Sequence, residues 1–260
     1  MRGWWVKGLL LASALAVLVL PLRANAGRRA FTWAYDTEIV PEGDLELETW
    51  LWARTRSPAF PTRTARYWIW WGPVFGLTDH LELNLPFQIV SWGDVYGQET
   101  QLESFEADLR YRLKPRGNQD PFQALFRAAY HLPTGYPEPP RVDVNAVGSY
   151  DFESGVHLVL DVGAQVGLAP VTAAGGKVTT LITYDLGVSY PVSDEINVSV
   201  ENFAELPAVN LSGGAHEFVG PAFEWTRGRF WLTFGVLVGL TPAFKETPHF
   251  MPRLLWAVSL

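Results

Sequence analysis

Apolar and polar residues alternate with a period of two along most of this 260-residue chain. That spacing marks strands whose two faces meet different surroundings. The clearest case is the pair Arg141–Phe152 and Val156–Leu168, separated by Glu153-Ser154-Gly155. In its second half Val156, Leu158, Leu160, Val162, Ala164, Val166 and Leu168 alternate with His157, Val159, Asp161, Gly163, Gln165 and Gly167. One face is apolar, the other mostly polar or small. The stretch exceeds the roughly five or six residues usual in globular strands and is long enough to cross a bilayer, which takes about 9–11 tilted residues.

The same pattern predicts ten more strands. They are Asp44–Arg56, Ala65–Phe75, Leu81–Val90, Gln101–Leu113, Phe122–Leu132, Val178–Tyr190, Ile196–Phe203, Glu217–Trp225, Phe230–Leu240 and Phe250–Leu260. Glu217–Trp225 is the least regular. Connections alternate too: tight turns follow most even-numbered strands, and longer loops rich in Pro or Gly follow the odd-numbered ones. An even strand count, strands of this length, and short turns at one end with long loops at the other are expected of an outer-membrane barrel. The expected fold is all-β, a transmembrane antiparallel up-and-down β-barrel of about 12 strands preceded by a cleaved signal peptide, with both barrel ends of the chain at the periplasmic, short-turn side. A soluble β-sandwich also alternates, but here nearly every strand carries the same large apolar face. Aromatics such as Tyr67, Phe87, Tyr111, Phe122, Tyr130, Tyr150, Tyr190 and Phe230 fall near strand ends, as interfacial girdles do. Pro86, Pro221 and Pro252 are positions where a bulge would shift the parity.

Composition agrees with this fold. Aromatics make up 14% of the chain and charged residues only 18%, below the roughly 25% charged of soluble domains. The body of the chain lacks any apolar run near the roughly 20 residues of a membrane helix, so a membrane would be entered by strands. At the start, Arg2 and Lys7, the apolar Gly8–Leu20 and Ala24-Asn25-Ala26 form the three parts of a signal peptide. The expected division is residues 1–26 as signal peptide, 27–43 as a periplasmic lead-in, and 44–260 as the barrel. Cleavage after Ala26 leaves 17 basic against 27 acidic residues, a net charge of −10. So acidic a protein is not expected to bind nucleic acid.

With no cysteine there is neither a disulfide framework nor a thiolate metal site. His80, His131, His157, His216 and His249 are widely spaced and give no zinc signature. None is followed two residues later by Ser, so the His-x-Ser pair of outer-membrane phospholipases is missing. No catalytic, metal or cofactor-binding residues are assigned, and an enzyme is the least favoured of three readings.

The polar parity is the candidate site. Glu46, Glu48, Arg54, Arg66, Glu82, Glu106, Asp108, Arg110, Arg112 and Arg127 share it, followed by Asp143, Asn145, Asp151, His157, Asp161, Gln165, Asp185 and Glu201. These are expected to line the lumen. Two readings compete: the charges pair and fill the interior, or separated acidic and basic walls leave a water-filled path with a solute preference. Trp50, Trp52, Trp68 and Trp70 also point inward by parity. They form either a stacking platform for an aromatic or sugar solute or a packing surface for an N-terminal plug.

The stretch from Tyr35 to Glu48, with its Thr37-Glu38 and Pro41-Glu42-Gly43-Asp44-Leu45-Glu46, resembles the opening of an outer-membrane β-barrel transporter family that includes the MetA-pathway of phenol degradation proteins. Gly76-Leu77-Thr78-Asp79-His80-Leu81-Glu82-Leu83 resembles the turn between the second and third strands of the same proteins. The resemblance covers about the first ninety residues and implies an outer-membrane barrel of a Gram-negative-type bacterium. The last strand is similar to the signal read by the outer-membrane assembly machinery, although it ends in Leu260 where an aromatic is more usual. The expected function is a passive, porin-like channel or transporter for small solutes. The alternative is a filled structural or partner-docking barrel without conductance. The partners expected are membrane lipid, the assembly machinery and a small-molecule solute.

Overall fold

The computed structural model describes residues 29–54, 65–93, 98–115, 120–134, 139–168, 180–208, 215–240 and 250–260. The signal peptide expected at 1–26 lies outside the described residues. One antiparallel sheet contains all the described strands, β1 (Leu45–Arg54), β2 (Ala65–Thr78), β3 (Leu81–Asn84), β4 (Phe87–Gly93), β5 (Gln98–Arg112), β6 (Phe122–Pro133) and β7 (Arg141–Asp151). It continues through β8 (His157–Gly167), β9 (Thr180–Ser193), β10 (Ile196–Pro207), β11 (His216–Arg227), β12 (Phe230–Gly239) and β13 (Phe250–Ser259). β1 pairs with β2 on one side and β13 on the other, from Trp50 opposite Trp70 to Trp50 opposite Leu255. The sheet therefore closes on itself and leaves no edge.

β3 and β4 are two halves of one stave, because both lie between β2 and β5. Pro86 interrupts them, since proline has no N–H to give the ladder. The break is bridged from both neighbours: Leu85 N–H donates to the Pro73 carbonyl at 3.0 Å, and the Pro86 carbonyl accepts from Glu106 N–H at 2.9 Å. Counted by staves the barrel has twelve, as the alternation predicted.

The three prolines do not shift the faces. Pro252 pairs in register with Val236, and pairing between β11 and β12 skips Gly220–Pro221 but resumes in the same parity. The shift that matters falls between Gln88 and Ile89, where β5 carries the extra Glu103. Glu103 and Ser104 are consequently both buried. Beyond that point toward the long loops, β5 residues of opposite parity face in.

Alternation now has a physical meaning. Along β6 to β9 the outward residues, including Phe126, Tyr130, Val144, Leu160, Val162 and Leu186, are exposed large apolar groups. The inward ones are buried or half-buried and mix the charged Arg127, Asp143, Asp161 and Asp185 with polar, small and a few apolar residues. Such a surface is the reverse of a water-soluble domain, which rarely shows contiguous apolar patches beyond a few hundred Å².

The lead-in expected at 27–43 is described from Arg29 onward. Residues 29–40 of it fold inside the barrel. Ala30, Phe31, Ala34 and Ile39 are buried and pack on Leu125, Val147 and Val159 of the wall. The segment leaves along Gly76 of β2, where a Cβ would overlap the Pro41 carbonyl oxygen. Glycine is needed there because one backbone lies against another.

Candidate functional site in the barrel interior

The interior is built from two unlike walls with the N-terminal loop between them. On one wall, β3, β5, β6 and β7 bring guanidiniums and carboxylates into contact. Arg110 reaches Glu82 at 2.8 Å and Asp108 at 3.0 Å. Arg127 reaches Glu106 at 2.9 Å, Asp108 at 3.0 Å and the Asn145 side-chain oxygen at 3.1 Å. Buried charges are tolerable only when matched in this way. His131 lies 3.1 Å from Glu106 and 2.8 Å from Asp143, and Arg141 is 2.8 Å from Asp143. The Arg110 and Arg127 guanidiniums also sit 4.9 and 4.3 Å over the Tyr35 ring, a geometry in which the ring face attracts a cation.

The second wall, β8 to β10, is acidic, and its carboxylates hold the backbone of the loop. Glu201 accepts from the Thr32 and Trp33 amides at 2.7 Å each, from Thr32 Oγ1 at 2.7 Å and from the Ala34 amide at 3.1 Å. Asp161 accepts from the Tyr35 amide at 3.2 Å. On the other side Glu82 accepts from the Val40 amide at 2.8 Å. A loop inside a barrel has no ladder for its own N–H groups, and unpaired they would be costly. Charge-assisted bonds to wall carboxylates solve that.

Strand direction gives the height of the loop. Ala30 and Thr37 meet Ser199 and Ser149 near the short-turn end. Trp33 reaches highest, stacking on Phe203 at 5.3 Å and edge-on to Trp52 at 5.4 Å. Residues 29–41 thus rise to mid-barrel and return, plugging the short-turn half. Arg29 pairs with Glu48 at 3.1 Å, and its carbonyl accepts a bond from Thr233 Oγ1.

The four tryptophans are cross-strand partners, Trp50 opposite Trp70 and Trp52 opposite Trp68. Their rings stack at 5.0 and 4.0 Å. Trp50 is covered further by Tyr35, Arg29 and Arg253, and Trp52 by Trp33 and Arg54. Trp50 and Trp52 pack against the N-terminal loop, whereas Trp68 and Trp70 meet Trp52, Trp50 and His131.

Of the residues expected to line the lumen, all but two are buried or half-buried. Arg66 and Asp151 are exposed, lying at opposite ends of their strands where the wall meets water. Asp151 bonds His157 at 2.6 Å, and His157 in turn reaches Asp36 of the loop at 3.1 Å. Near the long-loop end Arg54 pairs with Glu205 of β10 at 3.1 Å.

Sequence reasoning missed the loop's own residues and the inward apolar ones. Leu125, Val147 and Val159 sit on the polar parity of β6, β7 and β8, where an open lumen has no use for them. They were the available signal. The irregular β11 has the same cause: Phe218 faces in and packs on Trp33 and Phe203.

A closed twelve-stave barrel with an apolar outside and a charged inside has the architecture of an outer-membrane barrel. No protein-family model and no curated protein matches the sequence. Among solved structures the chain is similar in fold to the COG4313 outer membrane channel from Pseudomonas putida F1. Identity is 13%, the match covers 86% of this chain and 98% of that one, and the TM-score is 0.61. It is also similar to the NanC porin, at 8% identity, 82% of this chain and 100% of that one, with a TM-score of 0.57.

Proposed function

We propose that this chain is an outer-membrane β-barrel of a Gram-negative-type bacterium, exported through a cleaved signal peptide, that passes small solutes passively across the membrane. The observation that carries the proposal is the pairing of an apolar outer band with a charged, closed interior. Two channel structures share this fold over nearly their whole length. The band suits lipid hydrocarbon, and the last strand suits the outer-membrane assembly machinery. The resemblance of residues 35–48 and 76–83 to the MetA-pathway family favours a transporter within that class. The loop at 29–41 narrows the short-turn half, and the charged walls set the preference.

A second reading is a filled barrel without conductance, favoured by the buried cluster around Phe31 and Ile39. Refolded protein in a planar bilayer separates the two. Discrete conductance steps are expected; a membrane no leakier than lipid alone would establish the filled barrel.

A further inference from the structure

Among the described residues the charges inside the barrel do not balance: eleven carboxylates are buried, against four guanidiniums. Adding the partly buried Arg29, Arg54 and Arg141 brings the guanidiniums to seven, still short. The basic residues concentrate on the β5–β7 wall, where contacts with Glu82, Glu106, Asp108 and Asp143 use them up. On the β8–β10 wall Asp161, Asp185 and Glu201 are buried without an ion pair among the described residues.

Asp185 is the centre of that excess. It is 3% exposed, lies directly opposite Asp161 across the β8–β9 ladder, and neither of its carboxylate oxygens has a hydrogen-bond partner among the described residues. The ionisable groups nearest it are Glu201, Asp161 and Arg253, three carboxylates with Asp185 itself against one guanidinium. Glu201 and Asp161 are occupied by the amides of the plug loop, and those bonds answer nothing at Asp185. Arg253 is drawn elsewhere: its guanidinium lies 4.5 Å over Trp33 and 4.7 Å over Trp50, and its Nε has no hydrogen-bond partner among the described residues. A buried carboxylate left unmatched is costly, and a mobile cation relieves it as a side chain would.

We infer that the barrel prefers cations over anions, and that Asp185 is the residue against which a permeating cation or the ammonium-type group of a solute is held. The inference rests on the channel reading. Fixed charge facing a narrow, low-dielectric path concentrates the opposite sign, and rings of carboxylates select cations. The carboxylate wall here is one-sided.

The test is the reversal potential of single channels across a tenfold potassium chloride gradient. We expect potassium to permeate several-fold more readily than chloride. Asp185→Asn should lower that ratio at least twofold, while Glu153→Gln at the exposed short turn leaves it unchanged. Reversal at zero or toward chloride overturns the cation preference while the channel reading stands. An unchanged ratio in Asp185→Asn overturns the role of that residue. No conductance steps at all overturn the channel reading, and the preference with it. Should Asp185→Asn fail to assemble, shown by loss of heat-modifiable gel migration, the wild-type sign decides the preference and Asp161→Asn tests the wall.

Discussion

Glu201 on the barrel wall holds Thr32 twice: one carboxylate oxygen lies 2.7 Å from both the Thr32 amide nitrogen and Thr32 Oγ1. The other oxygen takes the amides of Trp33 and Ala34. One side chain thereby satisfies three consecutive backbone donors of a segment that has no secondary structure of its own. Glu201→Ala strands those donors, each at about 1–3 kcal/mol. The variant should keep its barrel, since the ladders are untouched, but loosen the plug. Limited proteolysis should cut residues 29–41 many times faster, and bilayer conductance should rise. Equal cutting rates in the two proteins would show that Glu201 does not anchor the loop.

Phe31 and Gly187 test the same seating by shape. A Cβ on Gly187 would stand 2.5 Å from the Phe31 ring, so Gly187→Ala should cost about 1–3 kcal/mol through overpacking. In a Phe31→Ala background the alanine has room and should cost far less. Urea unfolding of both singles and the double gives the coupling, and strictly additive effects would place Phe31 away from β9.

Arg127 is the hub of the basic wall. Arg127→Met leaves Glu106 and Asp108 buried without that partner, which typically costs about 3–5 kcal/mol. Adding Glu106→Gln removes one of the orphaned charges and should recover part of the loss. Folding stability in detergent is the measurement; a neutral Arg127→Met would mean that water already solvates this wall.

The outer face calls for a different test. Val200 lies mid-strand on β10 and is 54% exposed. Against hydrocarbon, Val200→Arg should cost about 2–4 kcal/mol in phospholipid bilayers. A near-zero cost would be the mark of a face in water, and so of a soluble barrel.

Period-two alternation by itself determined the staves and which side of each faces out, because the side-chain direction in a strand follows from backbone geometry alone. It carried through Pro221 and Pro252, whose neighbours keep register. It failed at Glu103, where an extra residue reverses the faces for the rest of β5 without any proline or glycine to announce it.

The plug belongs to tertiary structure. Trp33 and Glu201 are 168 residues apart, and nothing local in the stretch from Arg29 to Val40 says that its amides will meet carboxylates inside a barrel rather than water outside it. The inward tryptophans were legible as a group, but whether a solute or the chain itself would cover them depended on where that loop went. Alternation separates inside from outside; it does not say what fills the inside. That was decided by the unmatched amides of the N-terminal segment and the carboxylates of Glu82, Asp161 and Glu201, which satisfy one another only once the barrel has closed.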